Sequence, residues 1–428
     1  QQLASSNTRI SLLNPAAVIA VRTEEWDNFL AAVDTPWELA AGPEADFTYA
    51  EGTVDGAPPD DGTDDDPDDE PFVSLWSWKD KRLPGHGEEP IRPGMNVRLG
   101  AFMWDFTGWT PEERNQWVGS HFEVFSYDHV GIYYSPADAR TLRQANPAIF
   151  LGLVFSPQIL DVKAQSYLNV GGWDPSSMGE WTLKLNDGSE APNQLWSFED
   201  THVMDVGNID YSNYFRDRVA LWVERMGADG VFLDGSPWNG AYYPSPSSLR
   251  DYGSRDDIET ATRAFMDNLR TATMAIDDEW KEERQEHLDG LWDEGWMGYD
   301  ATIPTWGFDS PARWETALSN VERTSSKQKL HICQGWYHFG NRLELEYLVA
   351  TYLLGKNTNS AVFQPCPVGS PHLPEGSPYD FSSYTADIYA AELEAYPEIF
   401  EVELGAAMGG RYRVEEHLWA RDFAHGRV

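Results

Sequence analysis

The sequence predicts an α/β fold, a (β/α)8 TIM barrel preceded by an N-terminal accessory segment. Short apolar runs alternate with helical segments over roughly 270 residues, the size of a barrel of about 250 residues. These runs are continuously apolar rather than alternating, which is typical of parallel strands buried on both faces. Several of them end in a carboxylate followed by turn residues, and the carboxyl ends of barrel strands carry the functional residues of this fold.

Composition limits the partners of the chain. Its 428 residues are 41% hydrophobic and 13% aromatic, with 19 Trp, which is enough for a large core. The 70 Asp and Glu outnumber the 31 Lys and Arg, giving a net charge of −39, so nucleic acid and anionic membranes are not expected as partners. The acid excess is spread along the chain and favours a protein kept soluble in high salt, where charge is screened within ~3 Å at 1 M. An ordinary acidic secreted protein is the alternative.

Metal sites, cofactors and membrane insertion are not predicted. Cys333 and Cys366 lack metal-ligand spacing and either form a disulfide or stay as buried thiols, and the ten His form no ligand cluster. The chain has no phosphate loop, dinucleotide fingerprint or nucleophile elbow. It also lacks an apolar run long enough to span a bilayer. Because it begins with Gln1 and has no visible signal peptide, we expect a processed, trimmed or partial chain, and export stays open.

Three regions are predicted. Positions 1–55 form an accessory or attachment segment with a helix at 23–33, capped by Thr23. Positions 56–71 are rich in Asp and Pro and form a solvated linker or loop. Positions 72–428 form the barrel.

Seven strands are predicted in the barrel, at 96–103, 121–127, 148–155, 231–233, 289–296, 329–335 and 360–364. Thr110 and Ser135, each followed by Pro, begin helices, and further helices are predicted at 210–225, 257–275, 310–321 and 343–354. The long Trp-rich excursion after the third strand is expected to be functional. Positions 277–287 are too charged for the missing strand. Either the barrel is irregular near its fifth strand, or that strand lies within 271–276.

Asp234 is the first candidate catalytic residue. Gly227 ends a helix, Val231, Phe232 and Leu233 form a short buried strand, and Asp234 follows it immediately before a Gly-Ser-Pro turn. This pattern places a carboxylate at the functional edge of a parallel sheet. A turn or helix cap is the structural alternative for this residue and for the other strand-end acids.

Glu294 is the candidate partner of Asp234. Hydrolysis of a glycosidic bond usually needs two carboxyl groups, one that protonates the leaving oxygen and one that attacks or activates water. Glu294 stands between Trp292 and Trp296, whose apolar rings are expected to raise its pKa or to stack on a sugar. Its neighbour Asp293 is expected to point the other way and to be structural.

Further strand-end residues are predicted to contact a sugar. Asp105 and Asp128 are candidate hydrogen-bonding residues. The other candidates are mostly aromatic: Trp104, Tyr127, Trp238, Trp292, Trp296, Gln334, Trp336 and Tyr337. The aromatic residues that follow strand ends could equally plug the barrel mouth.

Three segments resemble a family of TIM barrels classed as glycoside hydrolases and related to endo-α-galactosaminidase and α-galactosidase-like barrels. They are DVGN at 205–208, YSNYFRDRVALWV at 211–223 and GADGVFLDG at 227–235. The resemblance extends over about 96–428, and the stretch 410–428 is similar to the segment that closes such domains. In the family a further strand follows that segment, so this chain is expected to end early. The resemblance implies a nucleophile or base after the fourth strand, at Asp234, and an acid on a later strand, at Glu294; it implies no particular substrate.

The sequence therefore predicts a glycoside hydrolase that cleaves a cell-surface or extracellular polysaccharide or oligosaccharide without a cofactor. The protein is predicted to be extracellular or surface-exposed in a high-salt environment, and the surface of a virion is one such location. The alternative is a non-catalytic glycan-binding or structural component of a virion or cell surface. Such a protein would attach to a larger assembly through its N-terminal segment and hold carbohydrate at the barrel mouth.

Overall fold

The computed structural model describes twelve stretches of the chain, namely 95–103, 109–127, 135–157, 159–161, 178–192, 201–234, 244–277, 282–297, 311–356, 361–368, 386–415 and 418–428. The predicted accessory segment and linker lie outside these residues, so the proposed division into three regions stays a prediction.

The barrel is formed by parallel strands. The first ten strands in chain order are β1 (Gly100–Met103), β2 (Val124–Tyr127), β3 (Phe150–Phe155), β4 (Ile159–Asp161), β5 (Thr201–Val203), β6 (Gly230–Leu233), β7 (Met274–Asp277), β8 (Gly290–Met297), β9 (Leu330–His338) and β10 (Ala361–Val368). All except β4 and β5 form one eight-stranded sheet in the order β1-β2-β3-β6-β7-β8-β9-β10. A parallel bridge between Leu99 and Phe363 closes it, and the Phe363 amide donates to the Arg98 carbonyl at 2.8 Å. The predicted (β/α)8 barrel is confirmed.

The strand register determines how far along the barrel axis each interior residue lies, and we call this position its height. Followed once around the eight strands, the paired positions shift by a total of eight residues, which is the shear of a TIM barrel. Positions at equal height therefore advance by one residue, on average, from each strand to the next. Side chains of alternate strands consequently share layers in the interior.

Nine helices are described. They are α1 (Pro111–His121), α2 (Pro136–Ala145), α3 (Met178–Trp181), α4 (Ile209–Met226), α5 (Arg255–Arg270), α6 (Pro311–Ser326), α7 (Arg342–Gly355), α8 (Ala386–Ala395) and α9 (Pro397–Phe400). Thr110 and Ser135 begin α1 and α2 with capping boxes, as predicted. Gly227 ends α4 with φ of 65°, a left-handed conformation in which glycine avoids a Cβ penalty.

The fifth barrel strand lies within the window of 271–276 and continues to Asp277. It is β7, which pairs with β6 over four positions and with β8 over two. The helix predicted over 257–275 ends earlier, at Arg270. The charged segment that follows β7 contains a 3-10 helix, Glu282–His287, which is tied to α5 by Arg284 Nε and Glu259 Oε1 at 2.8 Å. The barrel is thus complete, and the fifth strand is short rather than missing.

The barrel interior is apolar in its amino-terminal and middle layers. One cluster of buried side chains comes only from strands: Val124, Phe150, Val154, Phe232, Met274, Ile276, Trp292, Leu330, Ile332 and Val362. Phe232 and Trp292 meet edge to face, with ring centroids 5.7 Å apart. Burial of each large apolar side chain contributes about 1.5–3 kcal/mol, so this cluster is a main source of stability.

Gly152 provides the room for Phe232 across the interior. A Cβ added at Gly152 would approach Phe232 Cε2 to 1.9 Å, whereas one added at Gly179 in α3 would meet nothing within 4 Å. We expect Gly152→Ala to lower the free energy of unfolding by about 1–3 kcal/mol because the ring must leave its position. Denaturant unfolding measures this effect, and Gly179→Ala is the matched control. Equal stability of the two variants would contradict the close packing.

The excursion after β3 forms a second, smaller core outside the barrel. The strands β4 and β5 pair antiparallel, and a bridge from Leu185 to Leu249 joins the excursion to the segment that precedes α5. Apolar side chains bury one another there: Leu183, Ala191, Val203, Leu249, Tyr252 and Ile258. Tyr252 also donates a hydrogen bond to Asp205, whose pKa is raised by burial. The prediction that this excursion is functional stays a prediction.

The chain ends in two hairpins, β11 (Tyr412–Glu415) with β12 (Leu418–Ala420) and β13 (Asp422–Phe423) with β14 (Gly426–Arg427). Between them, the buried Arg421 donates to the carbonyls of Leu353 and Leu354 at the end of α7, at 3.2 and 3.4 Å. Orphan carbonyls at a helix end need such donors. The terminal segment is therefore part of the barrel's outer layer.

Both cysteines are free and buried. Cys333 pairs in register with Phe363 and Cys366 with Trp336, so the thiols lie three positions apart on neighbouring strands and do not form a disulfide. Among the described residues, no group of His, Cys, Asp and Glu is arranged to hold a metal ion. No helix in these stretches is long and apolar enough to cross a membrane.

Candidate active site

Asp234 lies at the carboxyl edge of the barrel. Its amide donates to the Phe155 carbonyl at 2.9 Å, which extends the pairing of β3 and β6 by one residue. Asp234 is half-buried and follows the interior residue Phe232 by two positions. Because strand residues alternate between faces, this spacing places Asp234 on the interior side of β6, at the level where the strand ends.

The average shear of the barrel assigns Glu294 to the same height on β8. Its backbone belongs to that strand, two residues after the interior Trp292, and its side chain lies outside the description. Leu233 pairs with Asp277, which pairs with Leu291, so position 234 corresponds to 292 along the hydrogen-bonding direction. The barrel shear adds one residue per strand and moves the position of equal height to 294. With β7 between them, the two backbones are roughly 10 Å apart, at about 4.8 Å per strand.

Asp293 precedes Glu294 in β8, and its side chain is described. Its Oδ2 is 3.5 Å from Nε2 of the fully buried His331. His331 alternates with the interior residues Leu330 and Ile332, and Asp293 pairs in register with Cys333 on the outer face of β9. Beyond Asp293 the register between β8 and β9 shifts before Met297. Asp293 thus lies beside His331 on the outer face of β8, and its structural role stays a prediction.

Trp292 and Trp296 are buried, with 5% and 3% of their surfaces exposed. Trp292 packs against Phe232 two residues below the height of Asp234. Trp296 Nε1 has no hydrogen-bond partner within the described stretches. Both rings are therefore largely shielded from solvent. Their role as substrate contacts stays a prediction.

The predicted residues of β9 lie on two different faces. Gln334 and Trp336 follow the interior residue Ile332 at alternating positions and are both buried. Tyr337 lies on the opposite face, where its hydroxyl donates to Glu392 Oε2 of α8 at 3.0 Å. The structure therefore corrects the expectation for Tyr337, which bridges the sheet to the helix layer instead of lining the mouth.

Family comparison supports the chemistry that this edge suggests. Residues 163–427, more than half of the chain, match the model described as hypothetical glycosyl hydrolase family 15. The chain belongs to hypothetical glycosyl hydrolase family 15. The matched region contains β5–β10 and both candidate carboxylates, and the predicted resemblance to glycoside hydrolase barrels is confirmed at this level.

Solved structures also resemble this family member. The glycoside hydrolase domain of PelA from Pseudomonas aeruginosa is 14% identical, and the match covers 63% of this chain and 94% of that domain with a TM-score of 0.44. The α-galactosidase TtGalA from Thermus thermophilus is 16% identical, with 80% and 68% covered and a TM-score of 0.43. The comparison with curated proteins found no match.

Several predicted sugar contacts of this glycosyl hydrolase family member lie outside the described residues. Tyr127 forms the last position of β2, where it pairs with Met103, but its side chain is not described. The others are Trp104, Asp105, Asp128 and Trp238. In sequence, all of them follow or end barrel strands, and their roles stay predictions.

One interior polar residue was missed by the sequence reasoning. Gln364 is buried in β10 and pairs in register with Gln334. It follows Val362, an interior residue, by two positions, so strict alternation along β10 would have placed it inside the barrel. The sequence prediction described 360–364 only as an apolar strand and therefore overlooked this polar residue.

Proposed function

We propose that the chain is a glycoside hydrolase that cleaves a cell-surface or extracellular polysaccharide or oligosaccharide with Asp234 and Glu294. The observation that carries this proposal is the register, which gives both positions the same height on alternate strands. Membership of a glycosyl hydrolase family supports the reaction class. A backbone spacing of roughly 10 Å leaves room for carboxyl groups at the ~5–9.5 Å used by glycosidases.

The surroundings suggest how the two acids divide the reaction. Asp234 is only half-buried, so water can stabilise its ionised form, as a nucleophile or base requires. Position 294 lies between the buried Trp292 and Trp296 in the strand. An apolar setting favours a protonated carboxyl, which is the form that donates a proton to the leaving oxygen. Asp234 is therefore the proposed nucleophile or base, and Glu294 the proposed general acid.

The remaining predictions complete the proposal. Asp105, Asp128 and the aromatic residues near the strand ends would hold the sugar, and the N-terminal segment would attach the enzyme to a larger assembly. The net charge of −39 supports an extracellular or surface location in high salt. At about 3 M KCl the Debye length is below ~3 Å, so repulsion between the 70 acidic residues is strongly screened.

A hydrolysis screen tests the reaction. Purified protein is incubated with neutral, acidic and amino polysaccharides at about 0.1 M and about 3 M KCl, which changes the Debye length from ~10 Å to below ~3 Å. We expect new reducing ends from at least one polysaccharide, with more product at high salt because the folded state is more populated there. The double variant Asp234→Asn/Glu294→Gln, purified in the same way, shows whether the product depends on this pair.

The screen also separates the enzyme from its alternative. A polysaccharide that binds equally to the wild type and to the double variant but yields no new ends would support a non-catalytic glycan-binding component. Product formed at the same rate by both proteins would reject Asp234 and Glu294 as the catalytic pair.

A further inference from the structure

Two glutamine side chains lie next to each other inside the barrel, just beneath the candidate carboxylates. Gln334 of β9 and Gln364 of β10 are register partners on neighbouring strands. They follow the interior residues Ile332 and Val362 by two positions each. Only 2% and 3% of their surfaces are exposed.

These amides have hydrogen-bonding capacity that the described residues do not use. Gln334 Oε1 and Gln364 Nε2 are buried without a hydrogen-bond partner in the described stretches. A buried amide with no partner is energetically unfavourable, so such groups normally bind a ligand or water. The unused pair consists of one acceptor and one donor on adjacent strands, although the two ends of an amide can exchange by rotation.

The shear of the barrel gives their height relative to the acids. Gln334 lies one residue below the level of Asp234 and position 294, and Gln364 lies two residues below it. One residue of a tilted barrel strand corresponds to about 3 Å of height. The amides are thus at the depth that one sugar ring would reach if its anomeric carbon lay between the two carboxylates.

The same layers contain no charged side chain among their described members. The layer two residues below Asp234 contains Ser126, Phe232, Trp292 and Gln364. The layer one residue below Asp234 contains Val154 and Gln334. An anionic or cationic sugar substituent would be buried here without a countercharge, which is costly. Hydroxyl groups, in contrast, match an amide donor and an amide acceptor.

We propose that Gln334 and Gln364 form the floor of the sugar site and bind two adjacent hydroxyl groups of a neutral pyranose. This inference rests on the proposed function for the location of the sugar. It assigns a specificity role to the pair: the ring held at the carboxylates is uncharged, whatever charges the rest of the polymer carries.

Monosaccharide binding tests the assignment without relying on hydrolysis. Thermal unfolding of the wild type is followed with increasing D-glucose, D-galactose or D-mannose, and with D-glucuronate and D-glucosamine as charged comparators. A ligand that binds only the folded state raises Tm in proportion to its affinity. We expect at least one neutral hexose to raise Tm more than either charged sugar does.

Substitution by methionine, which keeps the unbranched shape of glutamine, isolates the amides. We expect Gln334→Met and Gln364→Met to weaken hexose binding about 10- to 100-fold, as loss of hydrogen bonds to a bound sugar predicts. Without sugar their Tm should be unchanged or higher, because a buried amide that lacks a partner is removed. A pair that served only to stabilise the fold would instead lower Tm on substitution.

Gln285→Met is the matched control. Gln285 is equally buried and its Oε1 also lacks a partner among the described residues, but it belongs to the 3-10 helix that packs outside the barrel. Its substitution should leave the hexose-dependent Tm shift unchanged. If a methionine variant fails to fold, the near-isosteric Gln364→Glu replaces the amide donor with an acceptor and should also reduce the shift.

The outcomes separate this inference from the proposed function. Hexose shifts equal to wild type in both methionine variants would overturn the assignment, as would a wild type that responds to no neutral hexose. Either result leaves the assignment of Asp234 and Glu294 intact if their variants abolish hydrolysis. Conversely, full hydrolysis by the carboxylate variants would reject the proposed catalytic pair without changing the binding result.

Discussion

Glu294→Gln should lower kcat for a natural glycoside by about 10²–10⁴-fold, the usual contribution of general acid–base catalysis. The same variant should keep most of its activity on an aryl glycoside with an acidic phenol as leaving group. Such a phenolate departs without protonation, so the reaction no longer needs the acid. Asp234→Asn should lose activity on both substrates, because the nucleophile or base is needed whatever group leaves. Paired rate measurements on the two substrates assign the roles.

Asp293→Asn is the control for these carboxylate variants. Asp293 is adjacent to Glu294 in β8 but lies beside the buried His331, 3.5 Å from its Nε2. We expect kcat within about twofold of wild type, since this carboxylate takes no part in proton transfer. Interchanged substrate patterns for Asp234→Asn and Glu294→Gln would mean that the two roles are exchanged. Large losses in Asp293→Asn alone would mean that the acid of β8 was misassigned.

The barrel could be predicted because its strands carry local signals. The β6 segment shows all of them: a left-handed Gly227 ends the helix, three apolar residues follow, and Asp234 ends the strand. The β7 strand shows where local sequence signals were not sufficient to define a strand. With only Met274–Asp277 in the sheet and a charged segment after it, its apolar pattern is too short to distinguish from the end of the preceding helix. Closure of the sheet, a nonlocal property, reveals the strand.

The candidate site was predictable only in part, because the face and the height of each of its residues depend on the strand register. The pattern at Asp234 indicates a strand end, but its common height with position 294 follows from pairing across β7. Tyr337 was predicted at the mouth because it is aromatic and follows the end of the predicted strand 329–335. In the structure β9 continues to His338, and Tyr337, one residue after the interior Trp336, faces Glu392 on the opposite side of the sheet. Gln364 was missed for the same reason, since its importance depends on Gln334 beside it.

A second large effect is expected at Lys356, which follows α7 at the amino-terminal side of the barrel. Only 9% of its surface is exposed, and Nζ donates to the Asn96 carbonyl at 2.5 Å. Burial, together with the nearby cations Arg98 and Arg421, lowers the pKa of Lys356 to about 7. Glu123 is bound by Arg98 in a buried ion pair. The folded protein therefore holds a buried lysine whose charged form is disfavoured.

Lys356→Met should increase the free energy of unfolding by about 2 kcal/mol near pH 7. Moving the pKa from 10.5 to about 7 would cost at most about 5 kcal/mol at ~1.4 kcal/mol per pKa unit. Loss of the hydrogen bond to Asn96 and of the interaction with the Tyr352 ring, 5.6 Å from Nζ, offsets about 1–2 kcal/mol of the gain. Urea unfolding of both proteins at constant salt measures the difference.

The stability difference between wild type and Lys356→Met should depend on pH in one direction. Between about pH 7 and 10.5 the unfolded lysine is protonated while the folded one is mostly neutral, so the unfolded state binds more protons. The free energy of unfolding of the wild type should therefore rise with pH, relative to the variant, by about 2–3 kcal/mol from pH 7 to pH 9. Below pH 7 both states are increasingly protonated, and the difference should level off.

Lys327→Met is the control for this pH dependence. Lys327 is more exposed and its Nζ is 2.9 Å from Glu286 Oε1, so its substitution should change stability by no more than about 0.5 kcal/mol at any pH in this range. If Lys356→Met is less stable than wild type at pH 7, or if the difference between them does not narrow toward pH 9, Lys356 is charged and well solvated in the folded protein. In that case the amino-terminal side of the barrel admits water, and its buried cations are stabilised by hydration rather than tolerated at a cost.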